Sequence, residues 1–197
     1  NVVSGTITEK VTIPSSTTAT NPLTGLGTYK LTFHGASKTG TILQYATTSV
    51  TGDNYVVRLD GSDNVTFQNM TIRASSTVLA STANMVIHGY GISTNPCNDI
   101  TINNCNITGV SAATTSYSAP IVFNGSTSYT SPTAGGYGAR ITISASTVSG
   151  GYYGLLVRGL GSTSTSYKDV TIVNSNFTNS YYYALYLYYA TNMRMEG

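Results

Sequence analysis

Seven carboxylates and two histidines in 197 residues leave few places where side-chain chemistry can be assembled. The only close acidic pair is Asp60 and Asp63, in the turn Leu59-Asp-Gly-Ser-Asp-Asn64, with Arg58 beside it. Paired carboxylates near a basic residue suit glycoside cleavage or, with further oxygens, calcium binding. An Asp-Gly-Ser-Asp stretch is also the chemistry of a tight turn whose side chains bond nearby peptide groups. Similar strands end in glycine elsewhere, and registering on those glycines puts Tyr90, Asn124 and Arg158 in the column of Asp60. No second acid reinforces the pair, so the turn reading is preferred. His88 falls outward in the column of Arg58, Val122, Leu156 and Tyr186, and His34 follows an inward Phe33. Two isolated histidines without an acidic neighbour read as surface or loop residues rather than metal ligands. No catalytic, cofactor-binding or metal-binding residue is assigned, no cofactor is expected, and the chain is not expected to be an enzyme. A polysaccharide lyase or hydrolase is the enzymatic alternative, and acids gathered around Arg58 or Arg158 in a groove would favour it.

Tyrosine is the other reactive or adhesive resource. In Tyr181-Tyr-Tyr-Ala-Leu-Tyr-Leu-Tyr-Tyr189 an alternation around inward Leu185 and Leu187 points Tyr186 and Tyr188 outward, with Tyr152 and Tyr153 one coil earlier. These rings can stack on their own sheet, bind sugar rings or meet a neighbouring molecule. Cys97 and Cys105 lie about 26 Å apart if the segment between them is extended, too far for a bridge. Two unpaired small residues, one in the core, are expected, with a looped-back or intermolecular disulfide as the alternative. Five Asn-X-Ser/Thr matches follow from the repeat itself and are not read as glycan sites.

These residues are carried by short strands. Apolar residues alternate with period 2 throughout and nowhere keep helical spacing for more than a turn, so the chain reads as all-β. The phrase apolar-Thr-apolar, followed five residues on by another apolar residue, recurs along the chain, as in Asp99-Ile-Thr-Ile-Asn-Asn-Cys-Asn-Ile107 and Asp169-Val-Thr-Ile-Val-Asn-Ser-Asn-Phe177. Its first apolar position gives Leu31, Val65, Ile100, Ile141, Val170 and Met193, and its second gives Phe33, Phe67, Ile102, Ile143, Ile172 and Met195. Registered on the glycines, a second set of strands stacks Val57, Ile87, Ile121, Leu155 and Leu185 inward, with Leu59, Gly89, Phe123, Val157 and Leu187 beside them. A third carries Ile72, Ile107, Val148 and Phe177, after a bend at Asn69, Asn104 and Asn174 whose inward amides are expected to bond one another; Ala145 breaks that column. Three short strands per coil with like residues in columns describe a right-handed parallel β-helix of about six coils, the hand being the default for parallel crossovers. A lone outward threonine column, Thr32, Thr66, Thr101, Thr142 and Thr171, lacks the second column that an ice-binding face would need.

Charged residues make up only 8% of the chain and the net charge is +2, a balance that excludes a nucleic-acid partner needing a basic patch. No apolar run approaches a membrane span and none reads as a signal peptide, so membrane insertion is not expected. A chain beginning at Asn1 rather than Met is expected to be a processed or excised piece. Residues 1–197 read as a single β-helix unit.

The phrase Asn192-Met-Arg-Met-Glu-Gly197 stops before its inward residue five places on. If Asn1 of another copy follows, Val3 supplies that residue, and the coil steps of 34, 35, 41, 29, 23 and then 35 residues close on 197. A head-to-tail array of copies is therefore expected, its interface formed by Asn1, Val2, Val3, Val11, Ile13, Leu185, Leu187, Met193 and Met195. Copies of the chain are the expected partners, with surface glycans at Tyr152, Tyr153, Tyr186 and Tyr188 as a further contact.

Gly5-Thr-Ile-Thr-Glu-Lys-Val-Thr-Ile-Pro14, Tyr29-Lys-Leu-Thr-Phe33, Ile42-Leu-Gln-Tyr-Ala-Thr-Thr48 and Asp53-Asn-Tyr-Val-Val-Arg-Leu-Asp-Gly61, running on to Ile72, resemble large repetitive right-handed β-helix surface proteins of Bacteroidota. The resemblance covers roughly the first 75 residues and carries no catalytic motif. It implies export, a location outside the cell or at its surface, and a structural or adhesive role. The expectation is thus an extracellular β-helix repeat that builds a stalk or filament, with a carbohydrate-binding adhesin module as the alternative.

Overall fold

The computed structural model describes residues 4–15, 30–128, 134–161 and 167–197. Its strands run in triplets along the chain. The first coil holds β1 (Gly5–Thr8), β2 (Val11–Ile13) and β3 (Leu31–His34), and the second holds β4 (Thr41–Tyr45), β5 (Tyr55–Asp60) and β6 (Val65–Gln68). Next come β7 (Thr71–Ala74), β8 (Asn84–Tyr90) and β9 (Cys97–Asn103), then β10 (Asn106–Thr108), β11 (Ser118–Asn124) and β12 (Gly138–Ser144). The fifth coil holds β13 (Thr147–Ser149), β14 (Tyr153–Arg158) and β15 (Tyr167–Val173), and the sixth β16 (Asn176–Thr178), β17 (Tyr183–Tyr188), β18 (Ala190–Thr191) and β19 (Arg194–Glu196). Every third strand pairs in parallel, so the first members form one sheet, the second members another and the third members a third. The fold is a parallel β-helix. In the last coil the third strand is split into β18 and β19, on either side of Asn192 and Met193.

Alternation places one set of side chains inside. Ile100, Ile102, Ile141, Ile143, Val170 and Ile172 are buried in paired columns of the third sheet. In the second sheet Val57, Ile87, Ile121, Leu155 and Leu185 share one register, and Leu59, Gly89, Phe123, Val157 and Leu187 another, as the glycine alignment predicts. Each fully buried aliphatic side chain contributes on the order of 1.5–3 kcal/mol relative to exposure. Room for large rings is made by glycine. A Cβ on Gly89 would overlap the ring of Phe123, and one on Gly138 would overlap both Tyr167 and the carbonyl oxygen of Cys97. Tyr167 is thereby fully buried, with its ring 6.0 Å from Phe123, edge to face. It gives no sign of this in the strand pattern.

The corners are built from left-handed residues, the conformation that Asn and Asp adopt at least cost after Gly. Asn69, Asn104, Ala145 and Asn174 form one such corner, with φ between 46° and 55°, and Asn64, Asp99, Arg140, Asp169 and Asn192 a second that the strand pattern does not reveal. Asn104 Nδ2 donates to Asn69 Oδ1 at 2.7 Å, the amide ladder expected of this corner, but the amides are half-buried or exposed rather than interior. The residue after three of the four turns into the core instead: Met70, Cys105 and Ser146 are buried, and Ser175 is half-buried. Ser146 Oγ accepts from the Cys105 backbone N–H at 3.0 Å, and Ser175 Oγ accepts from that of Ser146 at 3.2 Å. Hydroxyls thus satisfy peptide groups that the corner leaves unpaired.

The outer faces are not uniformly solvated. Thr66 is 3% exposed although its column neighbours are partly open. His88 is fully buried, contrary to the surface position expected from its outward register. Tyr55, Met85, Ala119, Val122, Tyr153 and Leu156 form a second, smaller apolar cluster around the same outer face, so an outward side chain of the second sheet meets protein rather than water.

Candidate functional site

The first and last strands of the three sheets each have one paired neighbour among the described residues. At the last coil the inward columns finish at Phe177, Leu185, Leu187, Met193 and Met195; the first four are half-buried and Met195 is 58% exposed. A cavity of about 570 Å³ opens there, lined by Ile172, Phe177, Leu185 and Met195 with Asn174 and Asn176 at its edge. At the first coil an apolar hollow of about 180 Å³ is lined by Ile7, Val11, Phe33, Leu43 and Phe67, with Glu9 at its polar side. Unpaired strand edges with apolar cores present both hydrogen-bonding groups and surface to be covered.

Three details of the expected seam differ. Ile7, not Val3, holds the inward column of the first sheet, since β1 pairs with β4 in the register Ile7 to Leu43 and β4 continues it as Leu43 to Ile72. The spacing of five residues also fails in the second coil, where the loop at residues 35–40 puts Leu43 ten residues after Phe33. Asn1, Val2 and Val3 themselves lie outside the described residues. Ile13 is only 3% exposed, so that column is closed within the chain, where Ser62 Oγ donates to the Ile13 carbonyl at 2.6 Å. Val11, Leu185, Leu187 and Met193 are half-buried and Met195 is exposed, in or next to the first and last strands of the described sheets.

The acidic pair is divided between two surroundings. Arg58 Nη2 holds Asp60 Oδ2 at 3.1 Å, while Asp63 Oδ1 accepts from the Asn98 backbone N–H at 2.9 Å. Burial pushes the Asp63 carboxyl up, partly offset by its bonds from Asn98. His88 stands beside Arg58 in the paired strands and bonds through Nε2 to Asn124 Oδ1 at 2.9 Å. Burial lowers its pKa to about 4, which makes it a neutral imidazole at pH 7. The two carboxylates are therefore divided between an ion pair and a peptide group of the turn.

Other polar groups meet in ways that the strand pattern does not announce. Asp53 accepts from Lys10 at 2.8 Å, Tyr45 at 2.7 Å and Thr48 at 2.8 Å, and these bonds, the one from Lys10 first, hold its carboxyl below the usual range. Arg140 grips Asp99 through two bonds of 2.6 and 2.7 Å, and Asn192 donates to Asp169 at 3.0 Å along the same corner. The alternation of sign in the column Asp99, Arg140, Asp169 is the signal that would have found this ladder. His34 Nε2 lies 2.7 Å from Asn69 Nδ2 and belongs to the other corner's stack. Among the described residues no group of three His, Cys, Asp or Glu side chains is placed to hold a metal ion. Both cysteines are free and both, not one, are in the core, where burial raises the Cys97 thiol and takes Cys105 to about 11.

The tyrosines gather at the last coils. Tyr152 packs against Tyr153, Tyr181 and Tyr182 at centroid distances of 5.0, 5.4 and 5.3 Å, and Arg158 lies 4.1 Å over the ring of Tyr188. Tyr153 is 8% exposed, because rings of Tyr152, Tyr182, Tyr183 and Tyr186 surround it, so it is not available as a contact residue. Tyr152 and Tyr186 are half-buried and Tyr188 is exposed. The most open rings, Tyr181, Tyr182, Tyr183 and Tyr189, are neighbours of those expected.

No protein-family model and no curated protein matches the chain. Among solved structures it is similar to a pectin methylesterase crystallised in complex with a hexasaccharide, with 12% identity over 88% of this chain and 68% of that one and a TM-score of 0.37.

Proposed function

We propose that this chain is a structural β-helix unit whose end faces stack on copies of itself to build a stalk or filament at the cell surface. The observation that supports it is the match between the two open ends. Continuing each sheet by one strand would set Ile7 on Phe177, Val11 on Leu185, Leu31 on Met193 and Phe33 on Met195, apolar on apolar in these four columns. Such stacking would pair the strand edges and fill both end cavities at once. Six coils at a strand spacing of about 4.8 Å give a rise of about 29 Å per unit. An extracellular location accords with the Bacteroidota surface proteins that the first coils resemble, and the low charge suits a fibre that does not repel itself.

Light scattering and negative-stain microscopy of the purified chain test this reading. Oligomers that grow with concentration into filaments, with an axial repeat near 29 Å, are expected. Dispersed particles of 20.7 kDa at every concentration would sink it. A second reading, a carbohydrate-binding module, is favoured by the open rings of Tyr181, Tyr182 and Tyr188; retention on a glycan array that survives their replacement by Ala would remove it.

A further inference from the structure

The outer face of the first sheet carries two aligned rows of side chains. One runs Thr6, Ile42, Thr71, Asn106, Thr147, Asn176 and the other Thr8, Gln44, Arg73, Thr108, Ser149, Thr178, each in paired register with the next. Unlike the threonine column of the third sheet, this is a two-column floor, polar except for Ile42. Walls flank it. On one side the loop at residues 35–40 is tied down by Thr71 Oγ1 donating to the Lys38 carbonyl at 2.6 Å and by Lys38 Nζ reaching the Ala145 carbonyl at 3.0 Å. On the other side stand the loops after β7 and β10, joined by the Thr114 N–H to the Ala80 carbonyl at 3.0 Å. Two adjoining cavities of about 440 and 330 Å³ occupy the groove and its side, and Arg73 and Thr108 line both.

Arg73 is the centre of this groove. Its Nε and Nη2 both bond Gln44 Oε1, at 3.0 and 2.8 Å, which orients the guanidinium and leaves three of its five N–H donors without a protein acceptor among the described residues. No carboxylate occurs in the floor strands or in the loops at residues 35–40, 75–83 and 109–117. The cation is therefore oriented but not neutralised, amid rows of hydroxyls and amides.

We propose that this groove binds a linear acidic polysaccharide, with an acidic group held by Arg73 and sugar hydroxyls exchanging hydrogen bonds with Thr108, Asn106, Thr147 and Ser149. A planar guanidinium recognises carboxylate or sulfate through paired bonds. One arginine on the floor, with Lys38 in the wall bonded to the Ala145 carbonyl, suits a polymer of sparse charge and many hydroxyls; a nucleic acid would need several phosphates neutralised. The site lies on the side of the helix, so it does not depend on whether units stack end to end.

Affinity electrophoresis in gels containing alginate, dextran sulfate or neutral dextran tests it, on the wild type and on Arg73→Gln, Ser149→Glu and Arg158→Gln. Alginate is expected to retard the wild type and neutral dextran to leave it unchanged. Arg73→Gln and Ser149→Glu should each weaken retention at least tenfold with melting temperatures close to wild type, and Arg158→Gln should not weaken it. The same loss with dextran sulfate assigns the site to acidic groups in general, whereas loss with alginate alone assigns it to carboxylates. Equal retention by neutral dextran, no retention by either acidic polymer, or equal weakening by Arg158→Gln overturns the proposal.

Discussion

A buried, neutral His88 makes folding stability depend on pH. Its pKa in the folded chain, about 4, lies below the ordinary 6.5, so the unfolded chain takes up the proton first as pH falls. The contribution is complete above about pH 6.5 and is lost progressively as pH drops towards 4, amounting to order 3 kcal/mol at full effect. Urea unfolding of the wild type should show a midpoint that declines between pH 7 and pH 4.5, and His88→Gln should flatten that decline. A wild-type midpoint independent of pH over this range would contradict a neutral buried imidazole. Gly138 offers a second test at this scale, since a methyl group there meets a rigid ring and a backbone carbonyl that cannot both give way. Gly138→Ala should cost about 1–3 kcal/mol, read as a lowered melting temperature, with the far-ultraviolet spectrum of the folded state unchanged.

The corners are the elements that decide coil geometry, and they do so through residue type. Three of four residues at one corner are Asn, and the exception, Ala145, holds φ at 48° without a side chain suited to it. Its side chain is exposed, so an amide can be added without crowding. Ala145→Asn should stabilise the protein by about 1 kcal/mol, checked as a melting temperature raised by about 2–4 °C. The expected Asn bend at residues 69, 104 and 174 was legible because Asn-rich positions recur at the same offset from the strand. The second corner was not, because Asn64, Asp99, Arg140 and Asp169 share a conformation but not a chemistry. An Arg in a left-handed corner is held there by its partner, here the fork to Asp99, and that partner stands one coil away.

At the scale of the whole molecule, the end faces carry the structural reading and the side groove carries a separate one. Met195 is the most exposed member of the inward columns, so changing it removes apolar surface from the end without touching the core. Met195→Lys should abolish the concentration-dependent self-association expected of the chain and leave its melting temperature in dilute solution unchanged. Association that persists in this variant, measured by light scattering, would place the contact elsewhere. The tyrosine surface at the last coils stands beside the same end, and Tyr153 within it supports its neighbours from below rather than facing outward.

By itself the sequence determined the strands, the parallel columns of Val65, Ile100, Ile141 and Val170, the number of coils and the Asn corner, because strand alternation and corner conformation are local and repeat with each coil. The tertiary structure alone decided what depends on loops of unequal length and on cover. Ile7 takes the column that a five-residue spacing assigns to Val3 because β1 pairs with β4 in the register Ile7 to Leu43, and register follows the strands actually paired and not the count. Outward His88 became a buried, neutral group because protein packs over that face. Arg73 became an oriented cation because Gln44, 29 residues before it, lies one strand away.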